Sequence, residues 1–108
     1  MDQKTAIPVF KALAQDSRLA VFKMLVVEEP IGLPASEIAR RLNILPSTLS
    51  GHLSVLHHAG LVTSKRKSRE IIYRARLGRI GALVDFLLVD CCNGQETECA
   101  AIFPRERL

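Results

Sequence analysis

The sequence predicts a mainly α-helical domain that carries one small β-hairpin. Apolar residues make up 48% of the 108 residues and aromatic residues only 5%, so the core must consist mainly of Leu, Ile, Val and Ala, a composition typical of packed helices. Apolar residues recur at helical spacing along most of the chain, and β-prone runs replace that spacing only after Gly60. A chain of this length is the usual size of one domain.

The first part of the chain predicts three helices. Helical spacing of apolar residues predicts an amphipathic helix over residues 4–15. Asp16 is expected to cap a second helix through its side-chain oxygen, and the proline- and glycine-containing segment 28–34 is expected to end that helix. A short third helix follows, with Ile38 and Leu42 on its inner face.

A fourth helix follows after a tight connection, which is the layout of a helix-turn-helix unit. The third helix stops at Asn43, Pro46 suits the first position of the next helix, and Gly60 suits its C-terminal end. Leucines at i, i+4 and i+7 predict one buried stripe, formed by Leu49, Leu53 and Leu56.

Small and polar side chains lie mainly opposite this stripe, where a helix backbone could approach DNA closely and hydroxyls could reach phosphates and base edges. The predicted DNA contacts of this helix are Ser47, Thr48, Ser50, Gly51, His52 and Ser54. Two alternatives stay open, because the first hydroxyls could serve partly as helix caps and His52 could fix the helix instead of touching a phosphate.

A basic hairpin is predicted after Gly60. The runs 61–63 and 71–73 are β-prone, and they flank a strongly charged tip at 64–70. Seven basic residues lie between Lys65 and Arg79, against the single acid Glu70. This local concentration of positive charge predicts that the hairpin acts as a wing, which contacts DNA phosphates beside the recognition helix. The predicted phosphate contacts of the wing are Lys65, Arg66, Lys67 and Arg69.

The last predicted helix begins near Leu77, follows an apolar stripe, and ends at Asn93-Gly94. Together with the run S-T-L-S-G-H-L-S-V-L-H-H-A-G-L-V at 47–62, the segments Ala12-Leu13-Ala14 and Asp16-Ser17-Arg18-Leu19 resemble the ArsR (ArsR/SmtB) family of metalloid-responsive repressors. The resemblance extends over about residues 7–92.

The resemblance implies a winged helix-turn-helix fold and a homodimer formed by the first and last helices. It also implies that operator DNA is bound without ligand and released with it. The predicted interface residues are Ile7, Phe10, Leu77, Ile80, Val84, Leu87 and Leu88. Two positions depart from the family pattern: Leu45 replaces a Ser or Thr cap, and Ser68 replaces a glycine at the wing turn.

Three cysteines near the C-terminus, Cys91, Cys92 and Cys99, predict an ion site. An odd number close together does not form a disulfide framework, and thiolates select soft ions. With no histidine nearby, three thiolates suit the pyramidal coordination of As(III) or Sb(III). The segment D-C-C-N-G-Q-E-T-E-C also resembles the C-terminal cysteines of an arsenic-responsive branch of the family. Whether Cys99 completes the site within its own chain or across a dimer stays open.

The domain prediction assigns residues 1–92 to DNA binding and dimerisation, and residues 93–108 to a tail that completes the ligand site. The sequence shows no leader and no membrane span, which predicts a cytoplasmic protein. It also shows no nucleophile-base pair and no phosphate loop, which excludes most enzyme classes. Two alternatives remain: a redox or reactive-sulfur sensor of the same fold, and a winged-helix interaction module or metalloid carrier without a DNA role.

Overall fold

The computed structural model describes residues 1–92, and for residues 89–92 it describes the backbone alone. The predicted class is confirmed: a helical domain carries a small antiparallel sheet. In chain order the elements are α1 (Gln3–Leu13), α2 (Asp16–Val27), β1 (Leu33–Pro34), α3 (Ala35–Leu42), α4 (Pro46–His58), β2 (Val62–Lys67), β3 (Glu70–Ala75) and α5 (Leu77–Cys92). Within these residues, no helix has both the length and the apolar character needed to cross a membrane.

The sheet has three strands and not the two of a simple hairpin, so the sequence prediction missed β1. The strand order is β1-β3-β2, and β1 pairs antiparallel with β3 through Leu33 opposite Tyr73. Pro34 is tolerated because it lies on an edge strand. Gly32 precedes this strand with φ +78°, and a Cβ at this position would collide with the Tyr73 carbonyl, so glycine is required here.

The cap of α2 also differs from the prediction. Gln15 is the N-cap residue, and its side-chain oxygen accepts a 2.8 Å hydrogen bond from the Arg18 amide. Asp16 lies inside the first turn, where its carboxylate faces the positive end of the helix dipole without serving as the cap. The Arg18 guanidinium donates to the Ala12 carbonyl at 2.7 Å and so joins the end of α1 to the start of α2.

The core is formed by apolar side chains from every helix and from the sheet. The predicted leucine stripe is confirmed, since Leu49, Leu53 and Leu56 are all at most 2% exposed. Helix α5 contributes differently: over residues 77–88, Leu83 is its only fully buried apolar side chain. Its other apolar side chains over these residues are half-buried or exposed, so α5 presents apolar surface that the described part of the chain does not cover.

Candidate nucleic-acid interface

The connection between α3 and α4 orients α4. Asn43 adopts the left-handed conformation, with φ 53° and ψ 49°, and its amide donates to carbonyls of the last turn of α3. The Ile44 amide donates to the Ala39 carbonyl at 3.0 Å, which completes the end of α3. Leu45 is the N-cap residue of α4, and Pro46 occupies the first turn, as predicted.

Burial of the leucine stripe leaves the opposite side of α4 to solvent. Ser47, Thr48, Ser50, Gly51 and Ser54 are exposed. His52 is half-buried, so part of its ring packs against the protein. The structure therefore places all six predicted contact residues on α4, five of them exposed and one half-buried.

Gly51 has no structural role that the structure shows. A Cβ built at this position meets no atom within 4 Å among the described residues. A glycine inside a helix costs stability relative to alanine. Its presence on the exposed face therefore leaves room for a close approach by a molecule outside the chain.

The two adjacent histidines at the end of α4 are both exposed. His58 Nδ1 lies 2.8 Å from the Ser54 carbonyl oxygen, and because a carbonyl accepts, Nδ1 must donate the proton. The neutral ring then has Nε2 as an acceptor. The His57 and His58 rings meet edge to face with centroids 6.2 Å apart.

The basic residues of the wing lie mainly on a strand and not in a loop, which corrects the predicted hairpin. Strand β2 continues to Lys67, with Lys65 opposite Ile72 and Arg66 opposite Ile71, so the turn consists of Ser68 and Arg69 alone. The charges do not interrupt the pairing because β2 is an edge strand, where long charged side chains remain in solvent and discourage pairing with other chains.

Ion pairing separates the basic residues into two groups. Arg74 pairs with Glu29 at 2.9 Å, and this hydrogen-bonded pair raises the pKa of Arg74. Arg41 pairs with Glu28 at 2.9 Å. Among the described residues, no carboxylate lies within ion-pair distance of the wing cations Lys65, Arg66, Lys67 and Arg69. These four side chains are exposed, so their charge is available to a partner.

Glu37 on α3 pairs with two arginines of its own helix. Its carboxylate accepts hydrogen bonds from Arg40 and from Arg41, and these bonds hold the pKa of Glu37 below its usual range. The two arginines of α3 are therefore also compensated by acids. Of these two elements, the wing and not α3 therefore presents cations that no described carboxylate pairs with.

The predicted dimer residues form apolar surface that no residue of the described range 1–88 covers fully. Ile7 and Phe10 on α1 are 44% and 40% exposed, and Leu77 and Leu87 on α5 are 49% and 41% exposed. The remaining three, Ile80, Val84 and Leu88, are half-buried. Exposed side chains of this size on two helices are typical of a surface that another subunit covers.

The predicted ion site lies outside what the structure describes. The backbone of Cys91 and Cys92 belongs to the end of α5, as predicted, but their side chains and all of Cys99 are not among the described atoms. Among the side chains that are described, no three His, Cys, Asp or Glu residues come together in a way that could bind a metal ion.

Sequence reasoning missed two features of this surface. Leu45, noted only as a departure from the family cap, is 72% exposed immediately before α4. The pairing of Arg74 with Glu29 joins positions 45 residues apart, and no local pattern indicates such a pair. The exposure of Leu45 could have been predicted from the sequence. Leu45 precedes the first residue of α4, Pro46, so it does not belong to the buried leucine stripe of that helix.

Comparison with known proteins gives consistent matches. The family described as a helix-turn-helix domain matches residues 3–65. The HTH-type transcriptional regulator YbzH of Bacillus subtilis is 35% identical, and the match covers 75% of this chain and 93% of YbzH. The transcriptional activator HlyU of Vibrio cholerae is 30% identical, over 76% of this chain and 73% of HlyU.

Solved structures agree with these matches. An ArsR-like transcriptional regulator from Rhodococcus sp. RHA1 superposes with a TM-score of 0.74 at 28% identity, covering 92% of this chain and 90% of that one. The homodimeric winged helix-turn-helix DNA-binding domain Mb0332 of Mycobacterium bovis gives 0.66 at 26% identity, over 88% and 83% of the two chains. Reduced HlyU from Vibrio cholerae gives 0.62 at 28% identity, over 78% and 85%.

Proposed function

Because the chain belongs to the ArsR-like family of winged helix-turn-helix transcriptional regulators, we propose that it is a homodimeric, ion-released repressor of operator DNA. In this proposal α4 enters the major groove, β2 binds flanking phosphates, and As(III) or Sb(III) on Cys91, Cys92 and Cys99 weakens the complex. The observation that supports DNA binding best is the combination of an exposed hydroxyl-bearing helix face with four wing cations that no described acid compensates.

The proposed dimer is supported by the apolar surface of α1 and α5 that the described residues leave exposed. Operators bound by paired helix-turn-helix units have half-sites about 34 Å apart, one turn of B-DNA, so two copies of α4 must be fixed at that spacing. Exposed apolar residues such as Phe10 and Leu87 provide the surface that would join the copies. Homodimeric Mb0332 supports this arrangement by similarity.

In this proposal the dimer represses transcription by occupying operator DNA, which prevents other proteins from binding there. Release by an ion needs a second step. Cysteines at the end of α5 lie on the same helix as the proposed interface, so an ion bound there would favour one arrangement of the two copies over another. By linkage, bound DNA must weaken ion binding by the same factor.

A second candidate is a repressor of the same fold that responds to oxidation of its cysteines. The three cysteines within nine residues support it equally well, and the relative HlyU has been described in a reduced form. In this candidate a disulfide between two of the cysteines, and not an ion, changes the dimer.

DNA binding is tested by fluorescence anisotropy with duplexes selected from a random pool. The affinity should fall steeply with salt, and each lost phosphate contact should reduce the slope of log K against log salt by about 0.9. The double variant Lys65→Gln/Arg66→Gln removes up to four contacts per dimer, so its slope should fall by as much as about 3.6. Arg74→Gln is the matched control, because Arg74 lies on the same hairpin but pairs with Glu29. Equal slopes for the double variant and wild type would refute the role of the wing.

The switch is tested on the same complex under reducing conditions. As(III) should release wild type from the duplex, whereas Cys91→Ser, Cys92→Ser and Cys99→Ser should each stay bound. Release by an oxidant in the absence of metalloid, together with indifference to As(III), would select the redox candidate. Tight binding that neither reagent changes would leave DNA recognition in place and exclude both switches.

A further inference from the structure

Leu45 occupies a position where its side chain serves neither the helix nor the core. It is the N-cap residue of α4, and its side chain accepts no hydrogen bond from the first turn. Ser, Thr, Asp and Asn are preferred at this position because their oxygens satisfy those amides. Leu45 is also 72% exposed, so the side chain is not compensated by burial. Both facts make leucine a costly residue here for the isolated chain.

The helix that follows lacks the side chains that usually distinguish bases. Arg and Lys recognise guanine through two hydrogen bonds, and Asn and Gln recognise adenine in the same way. Helix α4, with the sequence PSTLSGHLSVLHH, contains none of these four residue types and no acid. Its exposed face offers hydroxyls, imidazoles and apolar groups. Besides hydrogen bonds from the hydroxyls, apolar contact with the thymine methyl group is a major-groove readout that this set of side chains supplies.

We propose that Leu45 is a specificity-determining residue that packs against the 5-methyl group of thymine in the major groove. This inference rests on the proposed function, because it requires α4 to enter the groove. DNA is the occupant that the surroundings favour. Leu45 adjoins the exposed hydroxyls of Ser47 and Thr48, and the same chain carries uncompensated cations on β2, which suit a polymer of phosphates.

Uracil substitution tests this contact directly. Uracil lacks the 5-methyl group of thymine and keeps its Watson–Crick pairing. The duplex most enriched by the wild-type dimer from a random double-stranded pool is synthesised with each thymine replaced singly by uracil. At the contacted position, wild type should lose about fourfold in affinity, the factor expected for one buried methyl-sized group. A symmetric pair of replacements should cost about fifteenfold.

Two variants assign that loss to Leu45. In Leu45→Ala the same uracil replacement should change the affinity by less than twofold, because the apolar contact is already missing. Leu45→Ser should behave in the same way and should unfold at a higher temperature than wild type, since serine supplies the absent cap. Both variants should keep the salt dependence of wild type with an unselected duplex, because the phosphate contacts of the wing are unchanged.

The outcomes separate this inference from the function on which it rests. If wild type binds every uracil duplex as tightly as the thymine duplex, or if Leu45→Ala loses as much as wild type at every position, the proposed contact is wrong while DNA binding stands. If wild type binds no duplex in a salt-dependent way, the proposed function fails and this inference fails with it.

Discussion

Replacing Gly51 by alanine should raise the stability of the protein and lower its affinity for DNA. The stability gain follows from helix propensity, since alanine is more favourable than glycine inside a helix by about 0.8–1.0 kcal/mol. A Cβ at this position meets no atom within 4 Å among the described residues, so no steric cost offsets the gain. The expected rise in melting temperature is about 4 °C at fixed protein concentration.

The affinity should change in the opposite direction if the α4 face approaches DNA as closely as the glycine allows. An added methyl group in a well-packed contact costs roughly 1–3 kcal/mol, which corresponds to a loss of at least about fivefold. Thermal unfolding followed by circular dichroism gives the first quantity, and anisotropy with a selected duplex gives the second.

Gly78→Ala is the matched control for this experiment. Gly78 is exposed in the first turn of α5, and a Cβ there also meets nothing within 4 Å. It should keep wild-type DNA affinity and gain some stability. A Gly51→Ala variant that is more stable than wild type and binds DNA equally well would refute the reasoning, because DNA would then not contact this face closely.

Three further predictions concern the turn, α3 and the dimer. Ser68 has φ 60°, a left-handed conformation disfavoured for a residue with a side chain, so Ser68→Gly should raise the free energy of unfolding by about 0.5–1 kcal/mol in urea titrations, and a loss would contradict this. The pKa of Glu37 is lowered by its arginine partners, so its contribution is present above the unfolded pKa of about 4.3 and disappears as the pH falls through the folded pKa. Urea midpoints of wild type and Glu37→Gln should therefore converge on acidification, and a constant gap would count against the pair. Leu87→Asp should produce monomers in analytical ultracentrifugation, whereas Leu19→Asp, on α2 with a similar exposure of 42%, should leave the dimer intact.

Periodicity predicted the helices well because burial depends on it. The leucines of α4 lie at i, i+4 and i+7, and any helix with that pattern must turn the same side to the core. The exposed polar face of α4 then followed from geometry alone, without knowledge of the partner. Gly60 was expected to end the helix, and its φ of +78° is the left-handed conformation that such an end requires.

The features that sequence reasoning missed depend on distant contacts. Strand β1 has two residues, too few for a periodic signal, and it exists because β3 offers a free edge about forty positions later. Strand β2 extends through three basic residues because their backbone continues to pair with β3, as far as Lys67 opposite Glu70. The sequence prediction that Asp16 caps α2 was wrong by one residue, because the side-chain oxygen of the preceding residue, Gln15, accepts the hydrogen bond instead.

The distribution of acids, more than the number of bases, determines where this protein presents positive charge. Glu28 and Glu29, at the end of α2, pair with Arg41 of α3 and with Arg74 of β3. Exposed pairs of this kind each contribute at most about 1 kcal/mol, so stability alone is a weak reason for them. Their larger effect is electrostatic, because they compensate cations of α3 and β3 and leave those of β2 without a paired acid among the described residues. Part of the positive charge of this chain is therefore presented on β2, a strand that contacts the helix whose exposed face has room for a close partner. If this is correct, replacing acids such as Glu29 with glutamine should strengthen binding to unselected DNA without improving discrimination between sequences.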